Sequence, residues 1–266
     1  MSDVRPWLKN YPAGVPANIN PDQYGSLVEM FEETFQKYKN LPAFTCMGKT
    51  LTFKTIDTAS KQFAAYLHSR GMEPGDRIAL MMPNLLQYPI ALFGALRAGL
   101  IVVNTNPLYT PREMKHQFID SGAKAIVICE NFAANLEKIL PETQIKTIII
   151  TSIGELLGGL KGTIVNLVVR QVKKMVPKFN LPNTVTVKEA VAQGAKFSIK
   201  PFKSYPDDTL LLQYTGGTTG VAKGAMLTNR NLVANMLQIR AVMMFKLVDG
   251  KEVVLSPLPM YHIFAF

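Results

Sequence analysis

The chain carries 266 residues, 48% of them apolar and 18% charged, enough to bury the core of one large domain or two small ones. Net charge is +10, yet the basic stretch 156–188 holds a single aromatic residue, Phe179, and no nucleic-acid module, so nucleic acid is not the expected partner. Cys46 and Cys129 lie far apart and imply no disulfide framework, the three histidines His68, His116 and His262 lack metal-ligand spacing, and the N-terminus lacks a signal-peptide apolar core.

The arm 1–24 is rich in proline and asparagine and is expected to wrap over the surface. Behind Ser26 as N-cap, Leu27, Met30, Phe31 and Phe35 recur at helical spacing and predict a helix over 26–39. Runs 43–46 and 50–53 flank Met47-Gly48-Lys49 and read as a hairpin. A second amphipathic helix, 55–70, ends at Gly71. Strands and helices then alternate: strand 77–82, helix 85–98, strand 100–103, helix 111–121 with Pro111 in its first turn, strand 125–129, helix 132–140 and strand 146–151. Alternation at this spacing predicts an α/β fold with mainly parallel sheets flanked by helices. The most apolar stretch, 78–103, is interrupted by Pro83, Asn84, Gln87, Pro89 and Arg97, which suits a strand, a turn and a buried helix better than a bilayer span. Cys129 closes the apolar run 125–128 and reads as a buried free thiol. Asn104-Thr105-Asn106-Pro107 reads as a tight turn.

Residues 154–206 break the pattern and form an irregular basic insert between a first α/β subdomain, 26–151, and a second α/β unit, 207–266. Within the insert, Leu160, Ile164, Leu167, Val168, Val172 and Met175 share one side of a helical wheel, extended by Val165, Val169 and Val176. Arg170, Lys173 and Lys174 lie opposite. Two readings follow: an ordinary surface helix packed through its apolar side, or a basic amphipathic helix over 156–178 lying on an anionic membrane.

The second unit opens with a strand-like run, 209–214, and reaches a helix over 229–243, with Thr228 or Asn229 as N-cap; a further strand is expected at 252–255. Between run and helix the chain reads Tyr214-Thr215-Gly216-Gly217-Thr218-Thr219-Gly220-Val221-Ala222-Lys223-Gly224. Glycines let successive N–H groups turn toward one point, threonine hydroxyls add donors, and Lys223 brings a movable positive charge. That combination cradles a polyphosphate. It is not a Walker A loop, because Lys223 follows Ala222 and precedes Gly224.

The segment 214–224 resembles the phosphate-binding signature of the adenylate-forming enzymes, the acyl-CoA synthetase, luciferase and peptide-synthetase adenylation group. Gly216 stands where that pattern has serine and Ala222 where it has proline, and both departures are similar to bacterial long-chain fatty acid–CoA ligases of the FadD type. Met82-Pro83-Asn84-Leu85-Leu86-Gln87-Tyr88-Pro89, Arg97-Ala98-Gly99, the run 104–113 and Pro257-Leu258-Pro259-Met260-Tyr261-His262-Ile263-Phe264-Ala265 carry the same resemblance. The resemblance implies an incomplete N-terminal AMP-binding domain of a longer enzyme. The later motifs, the C-terminal domain and its catalytic lysine have no counterpart in the sequence, so the chain alone is expected to be inactive.

What the resemblance implies is ATP-dependent activation of a long-chain fatty acid to an acyl-adenylate and then acyl-CoA, with ATP, Mg²⁺ and coenzyme A. Gly216, Gly217, Thr218, Thr219, Gly220 and Gly224 would belong to the cradle together with Tyr214, which also packs as the end of its strand. Lys223 and Thr218 would be catalytic, Thr215 would help ligate Mg²⁺, and His262 would border the acyl-adenylate carbonyl. The expected location is cytoplasmic, with contact at the cytoplasmic face of the membrane through 156–178; a homodimer stays open. Two alternatives remain: a ligase for a medium-chain or aryl acid, and a non-catalytic nucleotide- or membrane-binding fragment.

Overall fold

A computed structural model describes residues 5–215, 222–243 and 246–263. The first helix, α1 (Leu27–Lys37), starts where extended Ser26 accepts the Glu29 N–H at 3.1 Å, and it buries Leu27, Phe31 and Phe35. Strands β1 (Pro42–Cys46) and β2 (Lys49–Thr52) form a separate two-stranded sheet. Their turn needs positive φ at both central residues, Met47 (48°) and Gly48 (75°). Helix α2 (Phe53–Ser69) is capped by Thr52, and Gly71 after it adopts φ 79°.

The alternating stretch follows as β3 (Arg77–Met81), α3 (Gln87–Arg97), β4 (Ile101–Asn104), α4 (Pro111–Ser121), β5 (Ala123–Cys129), α5 (Ala133–Ile139) and β6 (Thr147–Thr151). Thr110 and Glu113 close a capping box at the start of α4, and Gly122 takes the left-handed conformation (φ 61°) at its end. Beyond β6 come α6 (Gly159–Leu167), a π-helical turn over Val168–Val172, β7 (Val185–Thr186), α7 (Val187–Gly194), β8 (Thr209–Thr215), β9 (Lys223–Thr228) and α8 (Asn229–Met243).

One seven-stranded sheet runs β7-β6-β5-β3-β4-β8-β9, parallel throughout except for β9, which pairs antiparallel with β8. Strands from the first α/β stretch and from 207–228 therefore share a single sheet. Alternate residues face opposite sides. Ile78, Leu80, Val102, Val127 and Ile149 point into the layer with α1, α2, α3 and α7, while Ala79, Met81, Val103, Ile126 and Ile128 meet Met114 and Phe118 of α4 and Leu136 of α5. After β3 the chain steps to β4 on one side; after β4 it crosses back to β5 on the other. Such reversals open a crevice outside the carboxyl ends of the strands.

Two expectations are corrected. An antiparallel strand, β9, stands between the glycine-rich segment and α8, in register from Leu211↔Leu227 to Thr215↔Lys223. Residues 223–228 show no polar–apolar alternation, and it is backbone pairing with β8 that makes them a strand. Residues 252–255, strand-like in composition, carry no regular structure; Val253, Val254 and Leu255 are exposed and pair with no strand among the described residues.

The insert is more ordered than its sequence suggests, and its helix is seated differently from the wheel. Gly162 of α6 packs against Gly154, close enough that a Cβ on either would lie 2.3–2.4 Å from the other's carbonyl oxygen. Asn166 fixes the contact: its Oδ1 accepts the Gly154 N–H at 2.7 Å and its Nδ2 donates to Ser152 Oγ at 3.0 Å. Val165, Val168 and Val169 are half-buried, whereas Leu160, Ile164, Leu167, Val172 and Met175 face solvent. Small and polar residues therefore do the docking, and much of the apolar side is left out. Among the described residues no helix is long and apolar enough to cross a membrane.

Candidate functional site

Antiparallel pairing sets Thr215 directly opposite Lys223, so the glycine-rich segment joins two strand ends held side by side. Both residues are exposed. Gly216, Gly217, Thr218, Thr219 and Gly220 lie outside the described residues. Inside the root, Tyr214 is opposite Gly224, and a Cβ on Gly224 would stand 3.0 Å from the tyrosine ring. Gly224 thus lets that ring lie across β9.

The root is held by α4. Tyr214 donates its hydroxyl to Asp120 Oδ2 at 2.5 Å, and its ring meets His116 edge-on, centroids 6.5 Å apart. His116 Nε2 lies 2.9 Å from the carbonyl oxygen of Ala222, so it is this nitrogen that carries the donated proton. His116 and Asp120 are four residues apart and share one helix face. They bond to the residue just before Thr215 and to the residue just before Lys223. Burial pushes the Tyr214 phenol above its ordinary range, with Asp120 adding to the shift. Sequence reasoning missed both α4 residues; the only signal is the His116-x-x-x-Asp120 spacing.

A second cluster holds the segment 256–263, which carries His262. Asn84, just beyond β3, accepts the Met260 N–H on Oδ1 at 2.8 Å and donates from Nδ2 to the carbonyls of Leu258 (2.8 Å) and Ser256 (3.2 Å). Tyr88 of α3, buried, places its hydroxyl 2.8 Å from Asn104 Oδ1 and 2.9 Å from the Met260 carbonyl. Desolvation raises its phenol pKa strongly. Gln213 of β8 donates to the Tyr261 carbonyl at 3.3 Å and meets Asn104 at 3.4 Å. His262 itself is exposed, with its N–H on the Pro259 carbonyl at 2.9 Å. Asn104 is the buried end of β4 rather than part of the turn, which begins at Thr105; there Asn106 Oδ1 accepts the Leu108 N–H at 3.0 Å.

Both clusters sit at the carboxyl edge of the sheet, and β8 links them: Gln213 reaches the His262 segment two residues before Thr215 enters the glycine-rich one. Among the described residues no group of three or more His, Cys, Asp or Glu is placed to hold a metal ion. Thr215 contributes one exposed hydroxyl, which suits Mg²⁺ that draws its other ligands from phosphate and water.

Comparison with known proteins supplies the wider setting. The chain is 54% identical over 260 residues to a long-chain-fatty-acid–CoA ligase of Escherichia coli O6:H1, covering 97% of this chain and 46% of the relative. A ligase of the same description from Bacillus subtilis is 33% identical over 265 residues, 99% of this chain and 47% of the relative. The chain thus spans about half the length of the curated relatives it matches. A crystal structure of a long-chain-fatty-acid-CoA ligase from Archaeoglobus fulgidus shares the fold, with TM-score 0.72 at 23% identity over 96% of this chain and 46% of that one. The family model described as AMP-binding enzyme matches residues 31–266, and on that match the chain belongs to the AMP-binding enzyme family.

Proposed function

We propose that this chain forms the nucleotide-binding half of a ligase that activates a long-chain fatty acid with ATP and passes it to coenzyme A. The observation that carries the reading is the β8–β9 root, which sets Thr215 and Lys223 side by side at either end of a segment rich in glycine and threonine. The 54% identical relative described as acting on long-chain fatty acids favours that substrate class over aryl or medium-chain acids.

In the first step a carboxylate oxygen attacks the α-phosphorus of ATP, the bond to the bridging oxygen breaks, and pyrophosphate leaves. Negative charge grows on the departing phosphates, so oriented N–H groups and a cation there stabilise the transition state more than the ground state. Gly216, Gly217, Thr218, Thr219, Gly220 and Gly224 serve as that cradle, backed by Tyr214, and Lys223 and Thr218 meet the developing charge. Bound Mg²⁺, ligated in part by Thr215, would neutralise the same oxygens. His262 borders the acyl carbonyl. In the second step the thiol sulfur of coenzyme A attacks that carbonyl, AMP departs, and the thiol proton is released.

The test is acid-dependent pyrophosphate exchange by a full-length ligase carrying this segment. Lys223→Ala and Thr218→Ala should each slow exchange by about 10²-fold or more, the loss typical of removing a transition-state donor. Unchanged rates would remove the loop from the mechanism, and acid profiling by pyrophosphate release checks the chain-length assignment.

A second reading, peripheral contact with the cytoplasmic face of a membrane, is favoured by the outward apolar row on α6 and the π turn. Leu160, Ile164, Leu167 and Met175 stand among Lys161, Lys173, Lys174 and Lys178, and 156–178 holds no acidic residue. Liposome flotation with and without anionic lipid checks it; flotation unaltered by replacing those four apolar residues with serine would discard it.

A further inference from the structure

The segment 256–261 has no regular structure, yet five of its backbone groups bond to side chains from β8, from α3 and from the loop after β3. Apolar burial does not explain its placement: Leu258 is 45% exposed, and Met260 only partly packs on the core. The bonds are directional. The Asn84 carboxamide offers its oxygen to an N–H and its nitrogen to two carbonyls, so reversing it would set like against like. Tyr88 and Asn104 brace the arrangement from inside, and Gln213 ties it to the strand that runs on into Thr215.

We propose that Asn84, supported by Tyr88, Asn104 and Gln213, is a positioning residue that fixes the His262 segment relative to the end of β8, and thereby the acid relative to the nucleotide. The inference rests on the reading that His262 borders the acyl carbonyl. Asn84 touches no reacting atom; it acts through the backbone of Leu258 and Met260. Its loss misplaces the acyl side and leaves the phosphate side in place, since Tyr214 and Ala222 are held independently by α4.

Steady-state kinetics of a full-length ligase carrying this segment separate the two sides. Asn84→Ala should raise the KM for the fatty acid or lower the acid-dependent kcat by about tenfold or more, because it leaves a partly buried N–H unpaired, with the KM for ATP within about twofold. The sharper variant is Asn84→Asp, which keeps the shape but turns a donor into an acceptor facing two carbonyls; it should be at least as damaging. Tyr88→Phe should give a smaller loss, about threefold, of the same kind. Normal fatty-acid kinetics in Asn84→Asp would overturn the proposal. So would acid and ATP constants that worsen together in proportion to thermal stability. Should Asn84→Ala fail to fold, Asn84→Asp and Tyr88→Phe decide. His262→Ala separates the layers: unaltered acid kinetics there removes the role given to His262, whereas damage there beside normal Asn84→Asp kinetics removes only the positioning role.

Discussion

Replacing Gly162 by alanine should free α6 without unfolding the domain. The added methyl would sit 2.4 Å from the Gly154 carbonyl oxygen, about 1 Å closer than an ordinary contact, and backbone lies on both sides, so no side chain can rotate away. The helix must lift. Lifting breaks the 2.7 Å bond from Gly154 N–H to Asn166 and the 3.0 Å bond from Asn166 to Ser152, about 1 kcal/mol each. Residual overpacking of about 1 kcal/mol brings the loss to about 2–3 kcal/mol. Gly162 is the one buried residue of α6 among the described residues, and the other ties of the segment lie toward its ends, Lys161 on the Met47 carbonyl and Arg170 on Glu130. The loss should therefore be local, a fall in amide-exchange protection over 159–172 of about 30- to 150-fold, with β3 and β5 unaffected. The urea midpoint should stay put. Gly194→Ala provides the contrast, because its methyl would lie 1.8 Å from the Gln62 carbonyl oxygen, where α7 buries Val187 and Ala190 against α2. That change should lower the midpoint of the whole domain. The reasoning is refuted if exchange over 159–172 does not change in Gly162→Ala, or if its midpoint falls as far as that of Gly194→Ala.

Arg97→Met should cost about 3 kcal/mol by urea unfolding, the lower end for breaking a buried pair. Arg97 is buried, bonds Glu32 and, at 2.6 Å, Asp57, and covers the Phe31 ring at 5.1 Å; Asp57 would keep Lys61 at 2.9 Å, which limits the loss. An unchanged midpoint would mean that the pair contributes nothing net. The two thiols should differ in reactivity. Burial pushes Cys129 up to about 12, whereas Cys46 is half-exposed, so iodoacetamide at pH 8 should label Cys46 and spare Cys129 until denaturant is added, as read by peptide mass mapping.

Most of the α/β framework was legible because its signals are local. Thr110, Pro111 and Glu113 announce the start of α4 within four residues, and short unbroken apolar runs mark β3 and β5. The strand β9 was not legible, because its six residues become a strand only through pairing with β8. Nor was the seating of α6, since a wheel ranks residues by apolarity and Gly162 docks through the absence of a side chain. At the site, Thr215, Lys223 and His262 could be named from motifs. Their holders could not: His116 is 106 residues from Ala222, Asp120 94 from Tyr214, and Asn84 176 from Met260. Long-range side-chain contacts of that kind leave no period in the sequence.

The grip of α4 on the hairpin also bears on transplantation. Moving residues 209–228 into another sheet would carry the glycines, threonines and lysine but leave behind the two side chains that clasp Tyr214 and Ala222. The portable module is a hairpin together with one helix drawn from about a hundred residues earlier in the chain. A graft lacking that helix would inherit the recognisable letters and lose the geometry they depend on.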